Sequence, residues 1–313
     1  GDTIFDQKNR MLNHNKYGHN FKAGADFFIN KKSTVGVLVN GNIADNRMET
    51  DGPMKIIYKP TNTISRVLVA SNENDSKRDN VNANFNYRYV ATSGTQLNID
   101  ADYGYFKIRG NQFQPNDYFD GTGSTKLYSN VYRMISPTDI TITSLKADYE
   151  RDFYKGRLGF GGKIGYVKTD NDFKRYDVFG SNEIYDKDKS NRFKYTENIN
   201  AVYANYNRAF KGFMIQAGVR VENTVSDGTS TGLKYNNNSG KYEDYDSSIH
   251  RNYLDVFPSA AITFNKNPMS QFGITYSRRI DRPAYQDLNP FEFKLNDYSF
   301  MKGNTNLRPQ YTN

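Results

Sequence analysis

Few residues in this chain have the types and spacing that chemistry needs. His14, His19 and His250 are the only histidines, and none has a partner at metal-ligand spacing. With no cysteine, disulfides and Cys-based metal sites are excluded. Asp100 and Asp102 stand two residues apart, so on a strand they share a face and could share a proton or a cation. The reading the pattern favours is a pair of wetted carboxylates balanced by Arg88 across a hairpin. Arg220 and Glu222 have the same spacing and invite the same reading. Ser277 has no His or Asp placed to activate it. The glycine-rich points follow no strand-to-helix pattern, so no phosphate cradle is indicated. Arg278, Arg279, Arg282 and Arg308 would suit an anionic ligand or lipopolysaccharide, or an ion network that ties down a loop; the second is favoured. No catalytic, cofactor or metal site is expected, and the chain does not read as an enzyme.

The elements that must position these residues are strands. From Val81 to Tyr89 every odd position is apolar or aromatic and every even one polar. After Ala91-Thr92-Ser93-Gly94-Thr95 the alternation resumes as Leu97, Ile99, Ala101, Tyr103 and Tyr105. Period two with a short glycine-containing turn is an antiparallel hairpin with one dry and one wet face. Arg88, Asp100 and Asp102 fall on the wet face. Similar alternation marks 21–29, 35–39, 158–166, 213–221, 254–264 and 272–276, whereas 199–206 does not reveal its facing. Residues 1–17 read as loop, and Pro137 as a limit to strand structure near 127–135. Tight turns recur near 31, 93, 155, 211 and 267. Between them lie segments read as long polar loops: 45–60, 109–124, 170–191, 226–249 and 283–306.

Composition fits a sheet that is dry on one face only. Of 313 residues 36% are hydrophobic, yet 25 are Tyr and 21 Phe, and mean hydropathy is -0.82. No run reaches the ~18 apolar residues of a membrane helix, but a barrel strand needs only ~9–11 and hides its signal in alternation. Short turns at one end and long loops at the other suit an outer-membrane barrel with its apolar face outward. Tyr87, Tyr89, Tyr103, Tyr105, Tyr166 and Tyr276 near strand ends suit interfacial girdles. Glycines on the polar face suggest a lumen crowded by an inserted domain. The net charge of +8 is scattered and lacks any nucleic-acid motif, so no nucleic-acid partner is expected.

The last sixty residues carry a resemblance. Phe257-Pro258-Ser259 resembles the "FPS" strand of TonB-dependent outer-membrane receptors, and Tyr276-Ser277-Arg278 through Arg282-Pro283 resembles their "YSRxxxRP" segment. Leu288-Asn289-Pro290-Phe291 is similar to "LNPF". Gly303-Asn304 through Leu307-Arg308-Pro309 is similar to "GNPxLRPE", with Thr305 and Gln310 departing from it. Gly218 through Arg220 and Glu222 matches "GxRxE". The relatives implied are outer-membrane β-barrel proteins of Bacteroidota. The resemblance implies an all-β, antiparallel transmembrane barrel in the outer membrane, of which residues 1–313 form a part of about ten strands. The plug domain and final strands would lie outside it. It also implies uptake of a polar ligand (a glycan, chelate or peptide) captured by the long loops. The implied partners are outer-membrane lipid, the TonB energy-transducing complex acting through the plug region, and a surface lipoprotein. A non-transporting surface barrel or adhesin, and a soluble carbohydrate-binding β-sandwich, are the alternatives.

Overall fold

The computed structural model describes residues 1–267, 270–290 and 292–313. Fifteen strands and one short helix follow in order. β1 (Thr3–Gln7) and β2 (Arg10–Asn30) both pair with β3 (Ser33–Tyr58), end to end along one side. The sheet then continues through β4 (Thr63–Val90), β5 (Gln96–Asp120), β6 (Lys126–Phe153), β7 (Gly156–Phe179), β8 (Asn182–Phe210), β9 (Phe213–Asn236), β10 (Lys241–Asn267) and β11 (Ser270–Ser277). From β2 onward every pairing in the sheet joins sequence neighbours in antiparallel register, β1 alone skipping β2 to pair with β3, and the sheet is ten strands wide. Among the described residues no ladder joins β2 to β11, so the sheet is open at those two edges. Two small ladders lie apart from it: β12 (Arg279–Asp281) with β15 (Gln310–Thr312), and β13 (Glu292–Lys294) with β14 (Phe300–Lys302). The helix α1 (Tyr285–Leu288) is a single turn.

The sheet inverts the usual placing of polar and apolar faces. One register row runs Val37, Phe85, Ala101, Leu145, Ile164. Its large members are exposed, as are Phe160, Leu254 and Val202, the last at 64%. The next row runs Asn84, Asp102, Ser144, Gly165 and faces the other way. On β4 the outward residues Val81, Ala83, Phe85, Tyr87 and Tyr89 give way at once to Asp79, Lys77 and Asp75. On β5, Leu97 to Tyr105 give way to Lys107 and Arg109; on β7, Leu158 to Tyr166 give way to Lys168 and Asp170. Each apolar stretch, such as 81–89, fits the ~9–11 residues with which a tilted strand crosses a membrane. β8 follows suit, with Val202, Ala204 and Tyr206 outward and Ala201 and Tyr203 inward.

Several sequence expectations are corrected. β3 to β10 run 24 to 29 residues, about twice what the apolar band needs. The expected loops 45–60, 109–124, 170–191 and 226–249 are continuous ladder for most of their length, turning only near 59–62, 121–125, 180–181 and 237–240. Both faces of these extensions are polar, so hydropathy does not alternate although the backbone is fully extended. Residues 1–17 are mostly strand for the same reason. Pro137 does not end β6: it stands opposite Arg109 of β5, at a point where the ladder to β7 skips a step and the missing N–H costs nothing. The tight turns near 31, 93, 155 and 211 are where alternation placed them; Tyr154 and Lys155 both take positive φ, as a type I′ hairpin requires. The turn expected near 267 falls on Pro268 and Met269, outside the described residues.

Candidate functional site

Residues 282–309 form a strap laid across the inner face of the sheet, on the extensions beyond the apolar band. Its turn is built by Asn296, whose Oδ1 accepts the backbone N–H groups of Tyr298 (2.8 Å) and Ser299 (2.9 Å). That turn aims Asp297 into the wall. There the carboxylate accepts hydrogen bonds from Tyr118 Oη (2.9 Å), Tyr132 Oη (2.9 Å) and Asn130 Nδ2 (2.8 Å), and Lys294 Nζ lies 2.6 Å away. Burial would raise the Asp297 pKa, but the donated bonds of Lys294, Asn130 and Tyr132 outweigh it and hold the carboxyl below its usual range. Burial, and after it the contact with Asp297, pushes the Tyr132 phenol above its ordinary value; it therefore stays a donor.

Four of the strap's further attachments lie between Leu288 and Leu295. Gln114 Nε2 donates to the Leu295 carbonyl. Lys189 Nζ is 2.9 Å from Glu292. Asn191 Nδ2 donates to Asn289 Oδ1 at 3.0 Å. Leu288, 1% exposed, packs with Phe193, Tyr195 and Ile249. At the strap's root Arg282 reaches Glu222, and its Nη2 also donates to Thr224 Oγ1 at 3.0 Å. Between strap and wall lies a cavity of about 840 Å³, bounded by β4 to β7 on one side and by α1, β14 and Asn304 on the other.

The motif residues singled out in the sequence divide into those that meet and those that do not. Glu222 holds both Arg220 (2.6 Å) and Arg282, so "GxRxE" and "YSRxxxRP" are two halves of one inner-face ion cluster. Asn289 caps α1, Asn304 N–H donates to the Asp287 carbonyl at 2.6 Å, and a Cβ on Gly303 would overlap the Asn289 backbone. Thus the "LNPF" and "GNPxLRPE" segments close on each other; Phe291 lies outside the described residues. Pro290 borders a smaller cavity with Lys189 and Glu292, and Pro283 leads into α1. Pro258 instead points outward, its carbonyl accepting the Arg278 N–H at 3.1 Å. The four arginines do not gather: Arg278 stacks on Tyr311 (4.8 Å), while Arg279 and Arg308 are exposed; Pro309 joins Arg308 beside His250 and Tyr253.

Arg88 does not balance the two carboxylates. Its register partner is Asn98, and among the described residues no ion pair joins it to Asp100 or Asp102. Asp102 is held instead by Asn84 Nδ2 (2.7 Å) and Ser144 Oγ (2.9 Å), within a carboxamide-rich inner face. Some inward glycines are crowded by the neighbouring strands: a Cβ on Gly161 would meet the Tyr203 ring and Asp148 at 2.8 Å. The residues that dock the strap (Tyr118, Asn130, Tyr132 and Asp297) escaped sequence reading. The only local signal is Asn296-Asp297 between short aromatic runs, which marks a hairpin turn and not its dock.

An outward apolar band, a polar inner face and extensions rising beyond the band are features of a barrel wall in an outer membrane. The model of the outer membrane protein beta-barrel family fits residues 88–313. The chain belongs to that family. The outer-membrane barrel wall is therefore the setting of the strap and its cavity. Solved structures of like fold include the ferric yersiniabactin uptake receptor FyuA of Yersinia pestis (TM-score 0.52, 10% identity, covering 87% of this chain and 46% of that one). Another is the ferric-catecholate import receptor Fiu of E. coli K12 (TM-score 0.50, 8% identity, 89% and 50%). The likeness is one of fold, and the chain spans about half the length of these receptors. No curated protein sequence matches it.

Proposed function

We propose that this outer-membrane barrel wall belongs to a receptor that captures a polar ligand from outside and passes it through the lumen. The observation that carries the reading is the inner face, polar from the apolar band up to a cavity roofed by the strap. A non-transporting wall has no need of a wet inner surface continuous with a ligand-sized cavity. Edge strands left unpaired within the band would expose backbone N–H and C=O groups to hydrocarbon. We read β2 and β11 as continued by further strands of the same protein, in keeping with the half-length match to the solved receptors. A plug in the lumen, driven by the TonB complex, would supply the energy, and a surface lipoprotein could sit over the rim. Arg220, Glu222 and Arg282 hold the strap's root; Asn289, Gly303 and Asn304 hold its fold; Asp100 and Asp102 face the path of the ligand.

The test exploits the absence of cysteine from these 313 residues. In cells carrying the full-length protein, Asn130→Cys with Asp297→Cys offers the strap a disulfide to the wall. Growth is then scored on a panel of sole nutrient sources: glycans, chelated iron and peptides. The receptor reading expects growth on one source to depend on the protein, to fall when the pair is oxidised and to recover on reduction. Growth independent of the protein on every source would refute it.

A further inference from the structure

The cavity under the strap carries a specific kind of lining. Its size lies within the ~300–1,000 Å³ of small-ligand pockets. The polar wall is neutral: Asn74, Gln112, Ser136 and Asn171 from the sheet, Asn289 and Asn304 from the strap. A carboxamide offers two donors and an acceptor oxygen. Bonds within the protein use part of that capacity: Asn171 donates to Thr138 at 2.7 Å, Gln112 donates to Asn72, Asn289 Oδ1 accepts from Asn191 at 3.0 Å, and Asn304 Oδ1 accepts the Asn306 N–H at 2.9 Å. Charge is sparse. Arg78 is the one cation from the sheet; the strap adds Asp287 and Lys302, the latter 3.4 Å from Glu292. Phe173 and Phe293 meet edge to face at 6.0 Å and give one side an apolar surface.

We infer that this cavity takes a neutral, hydroxyl-rich ligand, a short oligosaccharide. The inference rests on the receptor reading above and names its ligand class. A sugar hydroxyl both donates and accepts, so it pairs with a carboxamide in either direction, and the C–H faces of a pyranose pack on aromatic rings. An anionic chelate calls for several converging guanidinium or ammonium groups. Here one guanidinium, Arg78, and one ammonium already beside Glu292, Lys302, share the lining with the Asp287 carboxylate. An extended peptide is gripped through main-chain bonds to a free sheet edge. Each wall strand here, β4 to β7, is already paired on both sides along most of its length, so the wall offers the cavity no such edge.

The experiment is a titration of the purified full-length protein in detergent with maltohexaose, xylohexaose, chitohexaose, tetragalacturonate, ferric citrate and hexa-alanine. Asn74→Leu and Ser136→Phe alter the cavity, Ser248→Phe alters the outer face, and a heat-dependent gel shift verifies that each variant is folded. The expected result is binding of at least one neutral oligosaccharide, weakened tenfold or more by either cavity variant and unchanged by Ser248→Phe. Preference for tetragalacturonate, ferric citrate or hexa-alanine overturns the oligosaccharide assignment and leaves the receptor reading intact. So does oligosaccharide binding that neither cavity variant alters. If no probe binds while growth on the nutrient panel still depends on the protein, the assignment alone fails; if that dependence is missing too, both fail.

Discussion

Asp297 is the residue on which the strap's docking turns, and replacing it with alanine isolates that contribution. The variant leaves the Tyr118 and Tyr132 hydroxyls and the Asn130 carboxamide without their acceptor and Lys294 without its counter-ion. Each orphaned buried polar group costs ~1–3 kcal/mol, and losing one partner of a buried charge pair ~3–5 kcal/mol. The terms overlap, and water can enter once the turn lifts, so about 3 kcal/mol of local stability is a fair lower figure. At ~1.4 kcal/mol per decade that is roughly a hundredfold in the opening equilibrium. Hydrogen exchange reads it directly, since the Leu295 and Asn296 N–H groups bond to the Ser299 carbonyl at 2.9 and 3.2 Å. Both should exchange about a hundredfold faster in Asp297→Ala, while the Asn304 N–H at the strap's other end changes little. The pH dependence has a definite sign. The docked carboxyl sits below its ordinary range, so its contribution is complete above the undocked pKa of ~3.9 and disappears as pH falls through the lower docked value. Protection of Leu295 should thus be equal at pH 7 and pH 5. Exchange within threefold of the parent at pH 7 would refute the argument.

Three further outcomes are expected. Leu288→Ala empties a fully buried site beside Phe193 and Tyr195 and should destabilise α1 by ~2–4 kcal/mol, read as faster protease cleavage within 285–290 while the gel-shifted barrel persists. Val202→Arg places a charge at the middle of the outward band and should cost ~2–4 kcal/mol in refolding into vesicles. Asn84→Arg, on the inner face of the same band, should cost well under half of that; equal costs would mean that the faces are assigned the wrong way round. Gly303→Ala forces the Asn289 backbone away and should loosen the strap at both segments, seen as loss of protection at Asn289 and Asn304 together.

The part of the fold that meets hydrocarbon was legible because the membrane writes a period of two into hydropathy. Val81 to Tyr105 shows this, and its register in the sheet is the one the alternation implies. Above the band water touches both faces. There Asn72, Asn74 and Ser76 alternate only with Glu73, Asp75 and Lys77, and strand looks like loop. Residues 199–206 were ambiguous for the opposite reason: Val202 faces lipid and Tyr203 faces the lumen, so both sides are apolar. The ion cluster of Arg220, Glu222 and Arg282 had its members picked out by motif, but their meeting was not evident across some sixty residues. The Asp297 dock left no trace, because its partners lie on other strands and a lone Asp after Asn reads as an ordinary turn.

The separation between those partners also orders assembly in time. From β2 to β11 every ladder of the wall joins strands adjacent in sequence, so each hairpin can close on its predecessor with a short loop. Gln114 and Leu295 are 181 residues apart, and Tyr118 and Asp297 179. Contacts of such range form slowly, because chain entropy must be surrendered before they return anything. The wall will zip first and the strap settle last, so a newly inserted barrel passes through a stage in which its inner face is fully uncovered.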